Sequence, residues 1–327
     1  MPSQSSLSRI LITGGGGFVG RHLLRALSNV LPDEHAIIAG TFSSKPSSFS
    51  GRVRSVPFDI TDADQIRSTL MTERPTHVVH LAAVAALQAA RLDARQTWAV
   101  NFGGTLNVAM VVSESLPDCR FVYCGSAQVY GGNFRSDRPV NEDTLLDPLD
   151  AYGASKAAAD LMISQMAKQG MRAIRLRPFN HTGPGQSEGF VVPAFAAQIA
   201  RIERCEQEPV IRVGNLTGRR DLTDVRDVVD AYVRAVLRFD ELPQGVAINI
   251  ASGKAISIRE ILDLLLSLST KKIEIKQDHN RLRTDDISVV FGDASLARSL
   301  LGWEPRIAVL DTLSAVLDDY RARGGLP

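Results

Sequence analysis

Short apolar runs alternate with amphipathic segments from Arg9 to Arg177. The apolar runs predict strands at Arg9–Thr13, His35–Phe42, Val53–Phe58, His77–Ala82, Arg120–Cys124 and Arg172–Arg177. The segments between them predict helices at Phe18–Val30, Asp62–Glu73, Ala85–Val112 (mostly helical) and Tyr152–Gln169. This alternation predicts an α/β fold with a doubly wound parallel sheet, whose ligands bind outside the carboxyl ends of the strands.

The pattern changes after Asn180. Glycine, proline and polar residues dominate 182–189 and 213–223, and helical spacing returns at Asp227–Arg238, Ser257–Leu268 and Leu310–Arg321. We therefore expect two parts, with 224–250 returning to the main sheet. Residues 1–180 and about 224–250 would form a dinucleotide-binding Rossmann domain. Residues 181–223 and 251–327 would form a smaller substrate-binding region.

Composition narrows the functional classes. The 327 residues are 44% hydrophobic and 22% charged, with a net charge of +1, so nothing favours binding to nucleic acid or to a membrane surface. No apolar run is long enough to span a membrane, and the N-terminus lacks the apolar core of a signal peptide. These features predict a cytoplasmic protein with neither nucleic-acid nor membrane partners.

Cysteine and histidine spacing gives no sign of a metal site. The three cysteines, Cys119, Cys124 and Cys205, show no metal-binding spacing, and their odd number fits a reducing compartment. His77 and His80 fall on opposite faces of the same predicted strand. We therefore predict that the protein binds no metal.

A glycine-rich turn follows the first predicted strand. Gly14, Gly17 and Gly20 are each three residues apart, between a strand and a helix. Glycines let the backbone approach a pyrophosphate, and the helix that follows directs its free N–H groups at that anion. A glycine pattern alone would fit a flexible loop equally well, but this strand–turn–helix setting predicts dinucleotide binding.

The end of the second strand bears on the choice of cofactor. A carboxylate there would hold the ribose 2′-hydroxyl of NAD, but the segment from Gly40 to Lys45 contains no acid. Ser43 offers a hydroxyl and Lys45 a charge, so NADP(H) is favoured and NAD(H) is the alternative. Asp59, followed by Ile60, ends the third strand and can bond the adenine amino group. Otherwise it caps a helix, although Thr61 or Asp62 can also supply that cap.

Three residues form a candidate catalytic group. Tyr152 and Lys156 share one helix face, and Ser126 follows the fifth strand at the same edge of the sheet. We expect the ammonium of Lys156 to lower the pKa of the Tyr152 phenol, which then exchanges a proton with a substrate oxygen bound by Ser126. Hydride would pass between nicotinamide and carbon. A Tyr–Lys pair alone would be an ordinary helix face.

The sequence resembles the extended short-chain dehydrogenases/reductases over nearly its whole length, from Ile10 to about Tyr320. The matching segments are GGGGFVG, HLAA from His80, NFGGT from Asn101, GSAQVYG, YGASK and RPFN from Arg177. The resemblance implies an enzyme that acts on nucleotide-linked sugars, frequently as a homodimer. It implies catalytic roles for Ser126, Tyr152 and Lys156. It also implies cofactor contacts from Gly14, Gly17, Phe18, Val19, Gly20, Ser43, Asp59, Ile60, Leu81, Ala82, Ala83, Tyr152 and Lys156.

The segment after Ser126 separates the activities within this family. Dehydratases of the family carry an acidic residue there, because loss of water needs a base and an acid. This chain has Ala127 and Gln128, which cannot fill those roles. The 3,5-epimerases place a cysteine nearby, but Cys124 lies within the strand and fits packing better. A 4-epimerase with tightly bound NAD remains open, because it needs only the serine, tyrosine and lysine.

The downstream segments resemble the reductases of GDP-linked 4-keto-6-deoxymannose and the related GDP-mannose dehydratases. Asn180 can donate to a diphosphate, and the guanidinium group of Arg220 fits phosphate oxygens. Arg283 stands where this group often has an Arg-Pro-x-Glu motif, with Thr284 and Asp286 replacing two of its residues. The implied substrate contacts are Ser126, Gln128, Asn180, Val191, Asn215, Arg220, Arg283 and Asp286. Solvated surface charge is the alternative for the arginines.

The implied reaction is NAD(P)H-dependent reduction of the C4 ketone of GDP-4-dehydro-6-deoxy-D-mannose, giving GDP-D-rhamnose or its 4-epimer. A nucleotide-sugar 4-epimerase is the first alternative, and a GDP-mannose 4,6-dehydratase is less favoured. A cofactor-sensing regulator without enzymatic activity would not need all of Ser126, Tyr152 and Lys156.

Overall fold

The computed structural model describes residues 7–42, 51–85, 90, 92–136, 138–278 and 287–324. The predictions for Ser43, Lys45, Arg283 and Asp286 fall outside these residues.

A parallel sheet of seven strands forms the centre of the described structure, in the order β10-β6-β5-β4-β1-β2-β3. Its strands are β1 (Arg9–Thr13), β2 (Ala36–Thr41), β3 (Val53–Pro57), β4 (His77–His80), β5 (Arg120–Cys124), β6 (Ala173–Pro178) and β10 (Ala247–Ile250). The register pairs Thr13 with Gly40 and with His80, so the carboxyl ends of these central strands meet at one edge. The predicted α/β class is confirmed. Within 224–250, strand β10 pairs with β6 at the edge of this sheet.

Helices cover both faces of this sheet. They are α1 (Phe18–Val30), α2 (Ala63–Glu73), α3 (Ala94–Trp98), α4 (Thr105–Ser115), α5 (Ala151–Lys168) and α7 (Val225–Leu237). One buried apolar cluster packs α1 and α7 against one face, and a second packs α2, α4 and α5 against the other. Parallel strands buried on both faces explain why the sequence reads as short continuous apolar runs.

A smaller layer is built from the later part of the chain. It contains β7 (Asn180–Thr182), α6 (Val191–Glu203), β8 (Val210–Val213), β9 (Arg219–Asp224), β11 (Ala255–Ser257), α8 (Ile258–Ser267), β12 (Glu274–Gln277), β13 (Val289–Val290) and α9 (Val309–Arg323). Strand β9 pairs with β7, β11 and β13, and β8 pairs with β12. A third apolar cluster packs α6, α8 and α9 together.

Three predictions of secondary structure need correction. Helix α6 was not predicted, and the 213–223 segment, predicted as loop, contains strand β9. The predicted helix Ala85–Val112 is interrupted, because α3 leads into a π-helical turn at Ala99–Gly104 before α4 begins. At Gly104 the side chain of Ile60 occupies the space that a Cβ would need, so the glycine lets the two segments pack closely.

No helix among the described residues is long and apolar enough to cross a bilayer. No group of three or more His, Cys, Asp or Glu side chains within the same ranges could hold a metal ion. Both rings of the predicted strand pair are instead bonded to hydroxyls, His77 to Thr76 and His80 to Thr13 and Thr105.

Candidate active site

The glycine turn forms a backbone cradle at the carboxyl end of β1. Gly14 has φ +68°, and a Cβ there would lie 2.9 Å from the backbone nitrogen of Ala82. The amide of Gly17 donates to the carbonyl of Gly14 at 2.9 Å and begins α1. A Cβ on Gly20 would overlap the Gly14 carbonyl and lie 2.8 Å from the Cα of Gly15. Side chains are therefore excluded where an anion would meet the helix N-terminus.

The segment after β4 is fixed to the same turn by a hydroxyl that the sequence did not single out. Thr13 Oγ1 accepts hydrogen bonds from the amides of Leu81 at 3.2 Å and Ala82 at 3.1 Å. Leu81, Ala82 and Ala83 are half-buried beside the glycine turn. The predicted cofactor residues of the first and fourth strands thus lie together.

Asp59 and Ile60 follow β3 and have different environments. Asp59 accepts from the amide and hydroxyl of Thr61, while Asp62 caps α2 through the amide of Gln65 at 2.9 Å. The capping role that was the alternative for Asp59 therefore belongs to Asp62. Ile60 is buried, and its carbonyl accepts from Asn107 at 3.1 Å.

Phe18 and Val19 open α1 and are half-buried against the apolar cluster. The Phe18 ring stacks on His181, with centroids 6.2 Å apart and planes at 10°. The His22 ring contacts the Pro184 carbonyl at 2.8 Å. These contacts connect the cofactor helix to the segment after Asn180, and no spacing rule in the sequence could have revealed them.

Ser126 and Tyr152 lie close together. Ser126 is 8% exposed just beyond β5, and its side chain interacts with the phenol of Tyr152, which lies in the first turn of α5. The amide of Gln128 also donates to Ser126 Oγ at 3.1 Å, which orients the hydroxyl. The structure therefore brings these two predicted catalytic residues together.

The predicted effect of Lys156 on Tyr152 is wrong. Burial raises the pKa of the phenol, and the interaction with Ser126 only partly offsets this. Lys156 Nζ donates instead to the carbonyl of Cys124 at 2.7 Å and lies 4.8 Å from the centre of the Tyr123 ring. Sequence spacing placed the two residues on one helix face, but it could not reveal how deeply that face is buried.

Lys156 is 3% exposed, and burial lowers the pKa of its ammonium to about 8. The carboxylate of Asp160, one helical turn further along, opposes this shift by raising the pKa. Asp160 is itself fully buried between Arg175 and Arg177. The signal in the sequence for this interaction is the spacing, since an acidic residue four positions after a lysine shares its helix face.

The residues expected to exclude dehydration lie beside this pair. Ala127 is buried and Gln128 is half-buried. Asp150 acts on the Tyr152 phenol electrostatically, but its carboxylate caps α5 by accepting from the amide of Gly153 at 2.7 Å. Cys124 is buried, and burial raises the pKa of its thiol to about 12, as the packing interpretation predicts.

Apart from Ser126 and Gln128, the described candidate substrate residues lie in the smaller layer. Asn180 is exposed at the start of β7 and Val191 is 42% exposed at the start of α6. Asn215 accepts from the amide and hydroxyl of Thr217. Arg220 is half-buried in β9 and donates to the carbonyl of Ile287 at 2.9 Å. Arg220 is thus part of the structure and not a solvated surface charge.

Comparison with known proteins decides the family. The NAD dependent epimerase/dehydratase family matches residues 10–251. The chain belongs to this family. The match confirms the resemblance found in the sequence and spans the glycine turn, Ser126, Tyr152 and Lys156.

Two curated members of this group are similar over nearly their whole length. The chain is 31% identical to GDP-6-deoxy-D-mannose reductase of Pseudomonas aeruginosa, covering 96% of this chain and 98% of the relative. It is 27% identical to GDP-6-deoxy-D-talose 4-dehydrogenase of Aggregatibacter actinomycetemcomitans, with the same coverage. A solved structure of RMD from Pseudomonas aeruginosa complexed with NADPH superposes with a TM-score of 0.82 at 30% identity, covering 97% of this chain and 100% of that one.

Proposed function

We propose that this protein is an NADPH-dependent reductase of a nucleotide-linked ketosugar, and that its substrate is GDP-4-dehydro-6-deoxy-D-mannose. The main observation is that Ser126 and Tyr152 lie together at the edge of the sheet where the glycine turn also lies, with Ala127 and Gln128 where a dehydratase needs an acid. The relatives named for GDP-6-deoxy-D-mannose and GDP-6-deoxy-D-talose support the choice of sugar.

The residues present fit a nicotinamide dinucleotide. A Cβ at Gly14 or Gly20 would collide with the neighbouring main chain, so these glycines let the turn pack tightly at the N-terminus of α1, where a pyrophosphate would bind. When bound, NADPH supplies the hydride. Ser43 and Asp59 are the proposed contacts on the adenosine side, with Ile60, Leu81, Ala82 and Ala83 lining the path between. The solved relative with NADPH supports the preference for NADP(H), and NAD(H) is the alternative.

The chain's own residues supply the rest of the chemistry. Ser126 holds the C4 oxygen of the sugar, and Tyr152 donates its proton to that oxygen as the carbonyl is reduced. Lys156 would bond the nicotinamide ribose and would supply a proton to replace the one that Tyr152 donates. Asn180 and Arg220 bind the diphosphate, and Gln128, Val191, Asn215, Arg283 and Asp286 contact the rest of the sugar nucleotide.

Turnover of a ketosugar tests this proposal. Purified protein should oxidise NADPH in proportion to added GDP-4-dehydro-6-deoxy-D-mannose, with loss of the reduced-nicotinamide absorbance. GDP should raise the melting temperature in the presence of NADPH more than UDP, dTDP or CDP do. No NADPH oxidation with GDP-4-dehydro-6-deoxy-D-mannose, or with UDP-, dTDP- and CDP-linked 4-ketosugars, would overturn the reductase. Stabilisation by UDP alone would overturn only the choice of nucleotide.

The same assay separates the reductase from its alternatives. A 4-epimerase would interconvert GDP- or UDP-hexoses without net cofactor consumption and would retain NAD through purification. A 4,6-dehydratase would convert GDP-mannose to the ketosugar. Product analysis by NMR also identifies the configuration at C4, which distinguishes GDP-D-rhamnose from its 4-epimer.

We further propose that two copies pair through α4 and α5 to form a homodimer. Trp98, Met110 and Leu161 on these helices and the adjoining α3 are 40%, 41% and 58% exposed, more than is usual for large apolar side chains. Light scattering should give twice the 35.5 kDa chain mass, and Leu161→Glu should halve it. A monomeric mass for the parent protein would overturn the pairing.

The cytoplasmic location and the division of the chain remain part of the proposal. Cys119, Cys124 and Cys205 are all free, which suits a reducing compartment. The dinucleotide-binding part would comprise 1–180 and about 224–250, and the sugar-nucleotide part 181–223 and 251–327. Cell fractionation and limited proteolysis with and without NADPH test these two points.

A further inference from the structure

Tyr130 is fully buried in the turn that begins at Ser126, within the 3₁₀-helical segment Ala127–Ser136. Its ring packs edge-on against Phe134, with centroids 6.2 Å apart, and beside Phe179 at 6.5 Å. The proposed reaction assigns no role to this tyrosine. A purely apolar site would accept phenylalanine equally well, so the partners of the hydroxyl decide what the tyrosine does.

The hydroxyl of Tyr130 has a fixed place between two buried polar groups. Arg177 donates to it at 2.8 Å, and it lies 2.8 Å from Asn249 Oδ1. An arginine can only donate, so the phenol must give its own proton to Asn249. Asn249 Nδ2 in turn donates to the carbonyls of Val140 at 3.1 Å and Asp293 at 3.3 Å. These hydrogen bonds form a continuous line from Arg177 through Tyr130 to Asn249. Each side chain in the line can satisfy its bonds in one orientation only.

The other end of the line lies on the catalytic helix. Arg177 donates to both carboxylate oxygens of Asp160, at 3.0 and 2.8 Å. Asp160 lies on α5 one turn beyond Lys156 and two turns beyond Tyr152. The line therefore joins the helix that carries Tyr152 to the turn that carries Ser126. Buried networks of this kind restrict the groups they join to one arrangement.

Hydrogen bonds within the turn extend this restraint to Ser126. The amide of Gln128 donates to Ser126 Oγ at 3.1 Å, and the amide of Val129 donates to the Ser126 carbonyl at 3.4 Å. We propose that Tyr130 is a positioning residue of the active site, whose hydroxyl, fixed between Arg177 and Asn249, holds the Ser126 side chain next to Tyr152. This inference rests on the proposed function in one respect, that Ser126 and Tyr152 act together on the substrate oxygen.

Removing the hydroxyl leaves buried groups without partners. In Tyr130→Phe, Asn249 Oδ1 loses its donor and Arg177 retains only the Glu142 carbonyl at this end, at 3.2 Å. Unsatisfied buried groups are costly, so the turn should move to meet water or other partners. Burial raises the pKa of Tyr130 to about 12, so the phenol stays protonated at working pH and the effect should not depend on its titration.

The test compares Tyr130→Phe with Tyr320→Phe. Tyr320 is also buried, and its hydroxyl donates to the carbonyl of Gln186 at 2.8 Å, so the control likewise removes one buried, hydrogen-bonded hydroxyl. We expect Tyr130→Phe to lower kcat about 10-fold, the equivalent of one hydrogen bond, and to leave the KM for NADPH within about 2-fold. Tyr320→Phe should lower the melting temperature comparably with kcat unchanged.

A spectroscopic arm of the test uses NMR to detect the contact between Ser126 and Tyr152 without enzymatic turnover. With ¹³Cζ-tyrosine, the Tyr152 resonance is assigned by its absence in Tyr152→Phe, and Ser126→Ala marks its position when the contact is lost. In Tyr130→Phe the resonance should move towards the Ser126→Ala position.

Two results would overturn the inference. One is an unmoved Tyr152 resonance in Tyr130→Phe. The other is a kcat loss matched by Tyr320→Phe, which would reduce Tyr130 to a general packing residue. If the parent protein oxidises NADPH with none of the ketosugars, the proposed function fails, and the spectroscopic arm still decides the role of Tyr130.

Discussion

The glycine turn and the candidate catalytic group lie at the same edge of the sheet but achieve their geometry in opposite ways. At Gly14 and Gly20 the backbone determines the geometry, and any added Cβ would collide with the neighbouring main chain. At Ser126, Tyr152 and Lys156 the polar ends of side chains in buried surroundings determine the geometry. Substitutions that add atoms should therefore impair the glycine turn, and substitutions that remove polar atoms should impair the candidate catalytic group.

The largest effect should come from removing the phenol oxygen. Tyr152→Phe keeps the ring and its packing but deletes the proton donor, so kcat should fall about 10²–10⁴-fold. NADPH affinity, measured by fluorescence titration, should change less than about 10-fold, because at most one hydrogen bond to the cofactor is lost. Retention of more than a tenth of the parent kcat would show that another group supplies the proton.

Adding one carbon to the glycine turn should act on binding. In Gly20→Ala the new Cβ would overlap the Gly14 carbonyl, and overpacking of this kind costs about 1–3 kcal/mol. NADPH should bind about 10- to 100-fold more weakly, or the protein should melt at a lower temperature. Gly16→Ala is the matched control, since its Cβ would lie 3.6 Å from a Thr41 methyl, in ordinary contact. Equal NADPH affinity together with an equal melting temperature in the two variants would contradict the steric account.

The same contrast explains why the sequence predicts the glycine turn better than the candidate catalytic group. The glycine turn depends on local backbone, so its place between Arg9–Thr13 and Phe18–Val30 was readable from spacing alone. The phenol's raised pKa depends on burial, which arises from tertiary packing and left no mark in the Tyr152–Lys156 spacing.

The smaller layer was harder to predict for a related reason. Strand β9 reads RRDLTD, and its polar side chains predicted a loop. In the structure Asp221 is buried and accepts from the amides of Ser252 at 2.8 Å and Gly253 at 2.9 Å. Helix α6 was missed because VVPAFAAQIARIE is buried on most sides and so lacks a clear polar face. Long-range partners, absent from any local pattern, determine both elements.

A smaller effect should appear in the pH dependence of stability. Burial lowers the pKa of Lys156 from 10.5 to about 8, so between these values the unfolded chain holds a proton that the folded chain lacks. The free energy of unfolding contributed by this group therefore rises with pH across that interval, by a few kcal/mol in all, since one pKa unit is about 1.4 kcal/mol.

Lys156→Met should lose this rise and should be more stable than the parent below about pH 8, at the expense of activity. Urea unfolding at a series of pH values measures both slopes. Parallel slopes in parent and variant would show that Lys156 is not the buried cation responsible.

The smallest effect should follow from changing Cys124, where backbone and side chain have separate roles in one residue. Its carbonyl accepts from Lys156 Nζ at 2.7 Å, while its thiol, with a pKa raised to about 12 by burial, stays protonated at neutral pH. Cys124→Ala removes only the thiol, so kcat should change less than about 3-fold and stability should fall by about 1–2 kcal/mol for the small cavity. Alkylation of the native protein should modify the exposed Cys205 and spare Cys124. A kcat loss as large as that of Tyr152→Phe would instead make the thiol a participant in the chemistry, and a cysteine-dependent epimerisation would then have to replace simple reduction.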